Sequence, residues 1–133
     1  MKHVLIAGAA LCGALFMGPT PAAAQQVLAT YYAMLADHDL YNSRGQPLGD
    51  FCAVLQQDRA NFHRFGRRHP SDQFDPIFTS REARARIPSI CYMASGDAAL
   101  PNQLARYGSV FVYVEIIGQN GWPTGVIVHQ GAG

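Results

Sequence analysis

Between positions 58 and 75 the chain gathers Asp58, His63, His69, Asp72 and Asp75 together with Arg59, Arg64, Arg67 and Arg68. Acids, imidazoles and guanidinium groups in one segment are the side-chain types that acid–base or phosphoryl-type chemistry needs. Asp58 is the most constrained of them. At 100° per residue it falls inside a stripe formed by Phe51, Val54, Leu55, Phe62 and Phe65, and a carboxylate among apolar side chains must be paired or protonated. Arg59 follows it directly but is placed on the flank with Cys52. The partner is therefore expected from another segment: a loop arginine, a tyrosine hydroxyl or backbone N–H groups. One reading is a structural ion pair that locks the following loop onto the helix. The other is a tuned general base, which needs a cleft beside it.

His63 falls in the last turn of the same helical pattern, where exposed carbonyls favour positive charge. Arg64, Arg67, Arg68 and His69 follow as candidate binding residues, because guanidinium forks match carboxylate and phosphate groups. The plainer reading of this stretch is a solvated charged loop. In a catalytic alternative, a small hydrolase-like enzyme would use Asp58 or His63 as its acid–base group, with Arg67 or Arg68 holding an anionic substrate. No metal or cofactor is expected. Asp37-x-Asp39 starts like a calcium loop, but Tyr41, Asn42 and Leu48 occupy the third-ligand, glycine and bidentate-glutamate positions. His63 and His69 lack the i, i+4 pairing of zinc hydrolases. Neither Gly-x-Ser-x-Gly nor a Walker loop occurs. Trp122, in Asn120-Gly121-Trp122-Pro123, is a second candidate contact residue: either an interface anchor at a hairpin tip or a side chain packed back over the sheet.

The elements that must position these groups follow from patterning. The clearest helix is predicted from Phe51 to Phe65, with Asp50 as N-cap and Gly66 as the C′ glycine. Thr79-Ser80-Arg81-Glu82 fits a capping box and starts a second helix that ends near Pro88. Spacing spreads Arg81, Arg84 and Arg86 around it. Asp97 is the expected cap of a third short helix that ends before Gly108. Val27 to Ala36 fits a strand with Tyr31, Ala33 and Leu35 on one face or a short helix, which periodicity alone does not separate; the strand is preferred, followed by turns at Asp37-His38-Asp39 and Asn42-Ser43-Arg44-Gly45. Ser109 to Ile117 alternates Val110, Val112, Val114 and Ile116 with Phe111, Tyr113, Glu115 and Ile117, a strand with both faces largely covered. Gly125 to Gln130 returns as its partner, across a connection longer than the tightest hairpin turns. The expected architecture is a small single α+β domain, with two or three short helices on a small antiparallel sheet that ends in a hairpin.

The full chain has 133 residues, a length that allows one core of ordinary size. Residues 1–24 read as an export signal. Lys2 and His3 precede an apolar run from Val4 to Met17, and Ala22-Ala23-Ala24 supplies the small-x-small pattern for cleavage before Gln25. The run is too short for a stable membrane span. The remaining residues 25–133 form the single domain and contain nine arginines, nine acids and no lysine. Zero net charge argues against a general electrostatic search for nucleic acid or anionic membrane. The positive charge is uneven, however, with seven of the nine arginines between Arg59 and Arg86. Cys52 and Cys91 are the only cysteines after Gln25 and are expected to form a disulfide in an oxidising compartment. Closing that loop is worth about 4 kcal/mol in the chain-entropy model.

Asn42-Ser43-Arg44-Gly45, Gln57-Asp58-Arg59-Ala60-Asn61-Phe62-His63-Arg64-Phe65-Gly66 and Asp72-Gln73-Phe74-Asp75-Pro76-Ile77-Phe78 together resemble a family of small exported proteins of Gram-negative bacteria. The resemblance covers the middle third to half of the chain. It implies no reaction, ligand or cofactor, and makes the Asp58–His63 stretch and the loop after it one unit. The functional expectation is a non-catalytic periplasmic or secreted binding module. Its contact surface is the arginine-rich loop from His63 to Asp75, and its partner an envelope protein or a small anionic ligand.

Overall fold

The computed structural model describes residues 24–132 and six isolated earlier positions, 8–10, 12, 13 and 18. Most of the export-signal reading therefore lies outside the described residues. The elements run β1 (Gln26–Ala36), a 3₁₀ turn (Asp37–Leu40), α1 (Phe51–Ala60), a π-helical turn (Asn61–Phe65), α2 (Arg81–Ile90), β2 (Cys91–Met93), α3 (Leu100–Tyr107), β3 (Ser109–Gln119) and β4 (Trp122–Gln130). The strands lie in the order β1-β3-β4-β2. The β1/β3 and β3/β4 pairs are antiparallel, whereas β2 lies parallel to β4. The sheet is thus mixed rather than purely antiparallel, because the short strand leaving α2 joins the far edge after a helical crossover.

One layer of side chains from the sheet meets one layer from the helices. Tyr31, Ala33 and Leu35 of β1 and Val110, Val112, Val114 and Ile116 of β3 are buried, the alternation that the sequence predicts. Phe51, Val54 and Leu55 of α1, Ala83 and Ile87 of α2, Leu100 and Leu104 of α3, and Phe78 close over them in one core. The other face of β3 is only half buried: Phe111 and Tyr113 are screened by Tyr32, whose ring centroid lies 5.4 and 4.9 Å from theirs. Among the described residues no helix is long and apolar enough to cross a membrane.

Local chemistry explains most element ends. Asp50 accepts the Ala53 N–H at 3.0 Å, Ser80 accepts the Ala83 N–H at 3.1 Å, and Gly66 ends the first helix at φ 66°. Three boundaries differ from expectation. α2 runs past Pro88 to Ile90, although Pro88 has no N–H to give the Arg84 carbonyl one turn back. Asp97 does not cap α3, which starts from Ala99; its carboxylate lies 3.9 Å from His129 Nδ1 instead. The hairpin is tight: Gln119 pairs with Trp122 across Asn120 and Gly121, whose φ values of 52° and 76° are the double positive φ of a two-residue turn. Cys52 in the first turn of α1 is bonded to Cys91 at the start of β2, with Cα atoms 5.9 Å apart.

Candidate functional site

The helical stripe carries Asp58 into the protein, where it is 1% exposed, and its partner is Arg59, 0% exposed. Arg59 Nε donates to Asp58 Oδ2 at 2.8 Å. This corrects the expectation that Arg59 points away and that another segment supplies the partner. A helix position fixes Cα and Cβ only, and three methylenes let the guanidinium fold back across the stripe. Arg59 Nη1 donates to Asp75 Oδ1 at 2.9 Å and to the Gln73 carbonyl at 3.0 Å, so one guanidinium ties α1 to the loop. Its carbon lies 3.9 Å from the Tyr31 ring centroid and 4.6 Å from that of Phe62, which puts aromatic faces against the charge.

Asp75 is fully buried and accepts three interactions. Besides Arg59, His63 Nε2 lies 2.8 Å from its Oδ1, and the Phe78 N–H donates to Oδ2 at 2.6 Å. Two carboxylates, Asp58 and Asp75, therefore share one guanidinium. Burial pushes the Asp58 carboxyl up to about 7; Arg59 opposes this, and the charges of Asp39 and Asp72 add to it. Burial likewise raises the Tyr31 hydroxyl well above its ordinary range. Asp58 and His63 are thus brought into one network, but inside the protein. The His63 side chain is only 5% exposed, so neither residue presents the open cleft that a general base requires.

His69 leaves the arginine surface altogether. Its ring stacks on His38 with centroids 4.7 Å apart and planes 10° from parallel. Its Nε2 lies 3.3 Å from Asp37 Oδ2, and its Nδ1 lies 3.6 Å from both Asp39 Oδ2 and Asp72 Oδ2. Burial lowers the tendency of this imidazole to hold a proton, but the Asp37 hydrogen bond and the charges of Asp39 and Asp72 outweigh it and raise the value. Asn61 Nδ2 donates to Asp39 Oδ1 at 2.9 Å, and Gln57 Nε2 in turn donates to Asn61 Oδ1 at 2.9 Å.

Arg64, Arg67 and Arg68 are exposed, and among the described residues none of them is ion-paired. Arg68 lies over the Phe62 ring, 4.5 Å from its centroid. Arg64 and Arg67 border two adjoining hollows. One, of about 330 Å³, has Arg64, Arg81 and Arg84 among its lining residues and no carboxylate. The second, of about 440 Å³, is bordered by Arg67, His38 and Asn61. Ser43, Gln57 and Phe65 line both. Phe65 is 43% exposed and not part of the core stripe, because the π turn advances less per residue than an α turn and rotates the last ring outward. Arg84 is itself buried, donating to the Phe78 and Thr79 carbonyls at 2.9 and 3.0 Å, and Arg81 is exposed one turn earlier. Burial and the like charges of Arg64 and Arg81 lower the proton affinity of Arg84.

The sequence reading missed Arg59, His38, Asp39, Arg81 and Arg84 as members of these groupings. The i, i+3 spacing of Arg81 and Arg84 was a usable signal, since it puts both on neighbouring turns of one side. Trp122 is 44% exposed and carries the Arg86 guanidinium 5.6 Å from its ring centroid, so it is partly covered by α2 and partly presented. No protein-family model matches the chain, and neither a curated protein nor a solved structure matches it. The resemblance carried by residues 42–45, 57–66 and 72–78 rests on those motifs alone.

Proposed function

We propose that this protein is an exported, non-catalytic binding module that holds an anionic group, carboxylate or phosphate, of an envelope protein or small ligand. One observation carries this reading: the hollow has three arginines, Arg64, Arg81 and Arg84, and no carboxylate residue in its lining. Like charges converge at a cost unless an anion joins them, and planar guanidinium forks fit carboxylate and phosphate oxygens. Phe65 adds a partly exposed aromatic between this hollow and the one bordered by Arg67, and interface cores are enriched in aromatic and arginine side chains. The Cys52–Cys91 bond and the export-signal pattern of residues 1–24 support a life in an oxidising compartment outside the cytoplasm.

The test is a titration with inorganic phosphate, citrate and a short acidic peptide, followed through the arginine side-chain N–H resonances. The expected result is saturable shifts at Arg64, Arg81 and Arg84 that weaken as salt is raised. Arg64→Ala with Arg81→Ala should abolish them, while Arg106→Ala, on α3, should not. Shifts that fail to saturate, or that survive in the double variant, would overturn the proposal.

A further inference from the structure

We propose that His38, Asp39 and His69 form a binding site for a zinc-class divalent cation, with Asp72 as an additional carboxylate ligand. The 3₁₀ turn after β1 presents His38 and Asp39, and the loop after the π turn brings His69 against them. One ligand atom from each of the three residues lies within 4.8 Å of the others. His38 Nε2 is 3.5 Å from Asp39 Oδ1, and His69 Nδ1 is 3.6 Å from Asp39 Oδ2. Ligands about 2.0–2.1 Å from a tetrahedral ion stand about 3.3 Å apart, so the two histidine–Asp39 spacings need to contract by only a few tenths of an ångström, and the two imidazoles must also move toward a common point.

Two further observations point to a cation. His38 Nε2 and His69 Nδ1 are both shielded from solvent, and neither has a hydrogen-bond partner. Buried ring nitrogens that face a carboxylate at 3.5 and 3.6 Å and make no hydrogen bond are groups a metal satisfies. The charge also calls for one. Asp37, Asp39 and Asp72 surround the two imidazoles, and among the described residues no arginine forms an ion pair with any of the three.

The surrounding contacts are those that orient metal ligands. The other nitrogen of His69, Nε2, faces Asp37 Oδ2 at 3.3 Å, which leaves Nδ1 for the ion. Asn61 Nδ2 holds Asp39 Oδ1, and the His69 N–H holds Asp72 Oδ2 at 2.7 Å. A mixed nitrogen and oxygen donor set favours zinc and its first-row neighbours over calcium or magnesium, which take oxygen ligands. A nitrogen lone pair lies in its ring plane, so binding requires His38 to tilt out of its parallel stack on His69. His38 has room to do so, because it borders the hollow next to Arg67, which is also the route of access for the ion.

The experiment is calorimetric titration of the purified, untagged, metal-stripped protein with zinc, and with calcium and magnesium in separate runs. Zinc should bind once per chain and at least about 100-fold more tightly than calcium or magnesium, and should raise the melting temperature reversibly on removal by a chelator. His69→Ala and His38→Ala should each weaken zinc binding at least about 100-fold, and Asp37→Asn about 10-fold to 100-fold. Long-range nitrogen–proton spectra should show metal-induced shifts at His38 Nε2 and His69 Nδ1. His38→Ala, at a partly exposed ring, keeps the test valid should a variant of buried Asp39 not fold. Absence of saturable zinc binding, or binding equally tight in the His38→Ala and His69→Ala variants, would overturn the proposal.

Discussion

Asp58 offers the sharpest test of the buried network, because its two readings predict opposite signs. Its carboxyl is raised from an ordinary 3.8 to about 7 by burial, with Arg59 shared between it and Asp75. A raised acid holds its proton in the folded state where the unfolded chain has lost it. Its contribution to stability is therefore fully present below pH 3.8 and is lost as pH rises through about 7. At about 1.4 kcal/mol per pH unit, that interval is worth about 4 kcal/mol. Asp58→Asn keeps an oxygen for the Arg59 Nε–H bond and removes the titration. Urea unfolding at pH 4, 5, 6, 7 and 8, followed by the fluorescence of the single tryptophan, Trp122, measures both proteins on the same scale. At pH 4 the variant should lie within about 1 kcal/mol of the parent, a loss typical of one altered hydrogen bond. Between pH 4 and 8 the balance should then move by about 4 kcal/mol in favour of the variant. Asp39 and His69 also carry raised values and remain in both proteins. Parallel curves across this range would refute the reasoning. A variant that falls further behind as pH rises would show that Arg59 holds the ionised carboxylate, as in an ordinary buried ion pair.

Two other outcomes follow from the fold. Replacing Cys52 and Cys91 with alanine should lower stability by about 4 kcal/mol in urea, and the oxidised protein should show no accessible thiol from either residue until it is reduced. Gly121→Val places a β-branched residue at φ 76° in a two-residue turn; it should cost about 1–3 kcal/mol by thermal melting and raise hydrogen exchange first at the β3/β4 end of the sheet.

The legible parts of this fold are those set by local rules. Alternation marked β3 as a strand, and the side chains of Asp50 and Ser80 marked two helix starts, because both signals act within a few residues. The cysteine pair was legible by elimination once only two remained. What was hidden depended on reach or on distant partners. Arg59 belongs to the flank by its Cα position and to the core by its guanidinium. Phe65 fits the 100° stripe and leaves it because the helix widens at Asn61. β2 has only three residues and is defined by its parallel pairing with β4. The return strand was expected from Gly125, yet β4 starts at Trp122 and includes Pro123 where the ladder shifts register between Ile117 and Gly118, the kind of position at which a sheet tolerates proline. His38 and Asp39 fail a calcium-loop pattern because their grouping with His69 spans two distant segments, which a linear ligand motif does not describe.

A chain whose described domain is electrically balanced nevertheless presents an arginine-rich patch, and the loop after α1 shows how. Gln73 lies along the free edge of β1, its Oε1 accepting the Tyr32 N–H and its N–H donating to the Tyr32 carbonyl. Asp72 Oδ1 accepts the Met34 N–H at 2.8 Å, so the segment covers an edge that would otherwise expose unpaired backbone. Asp75 turns inward to Arg59, His63 and the Phe78 N–H. The acids of this stretch are thus consumed in holding it down: the side chains of Asp58, Asp72 and Asp75 are each at most 1% exposed. The arginines beside them, Arg64, Arg67 and Arg68, form no ion pair among the described residues and face solvent. Net charge cancels over the sequence but not over this patch, and solvent screens the outward groups while the inward ones lie beyond its reach. Affinity for an anion should therefore follow the local arginine grouping and its salt dependence, a property to which the zero formal charge of residues 25–133 gives no guide.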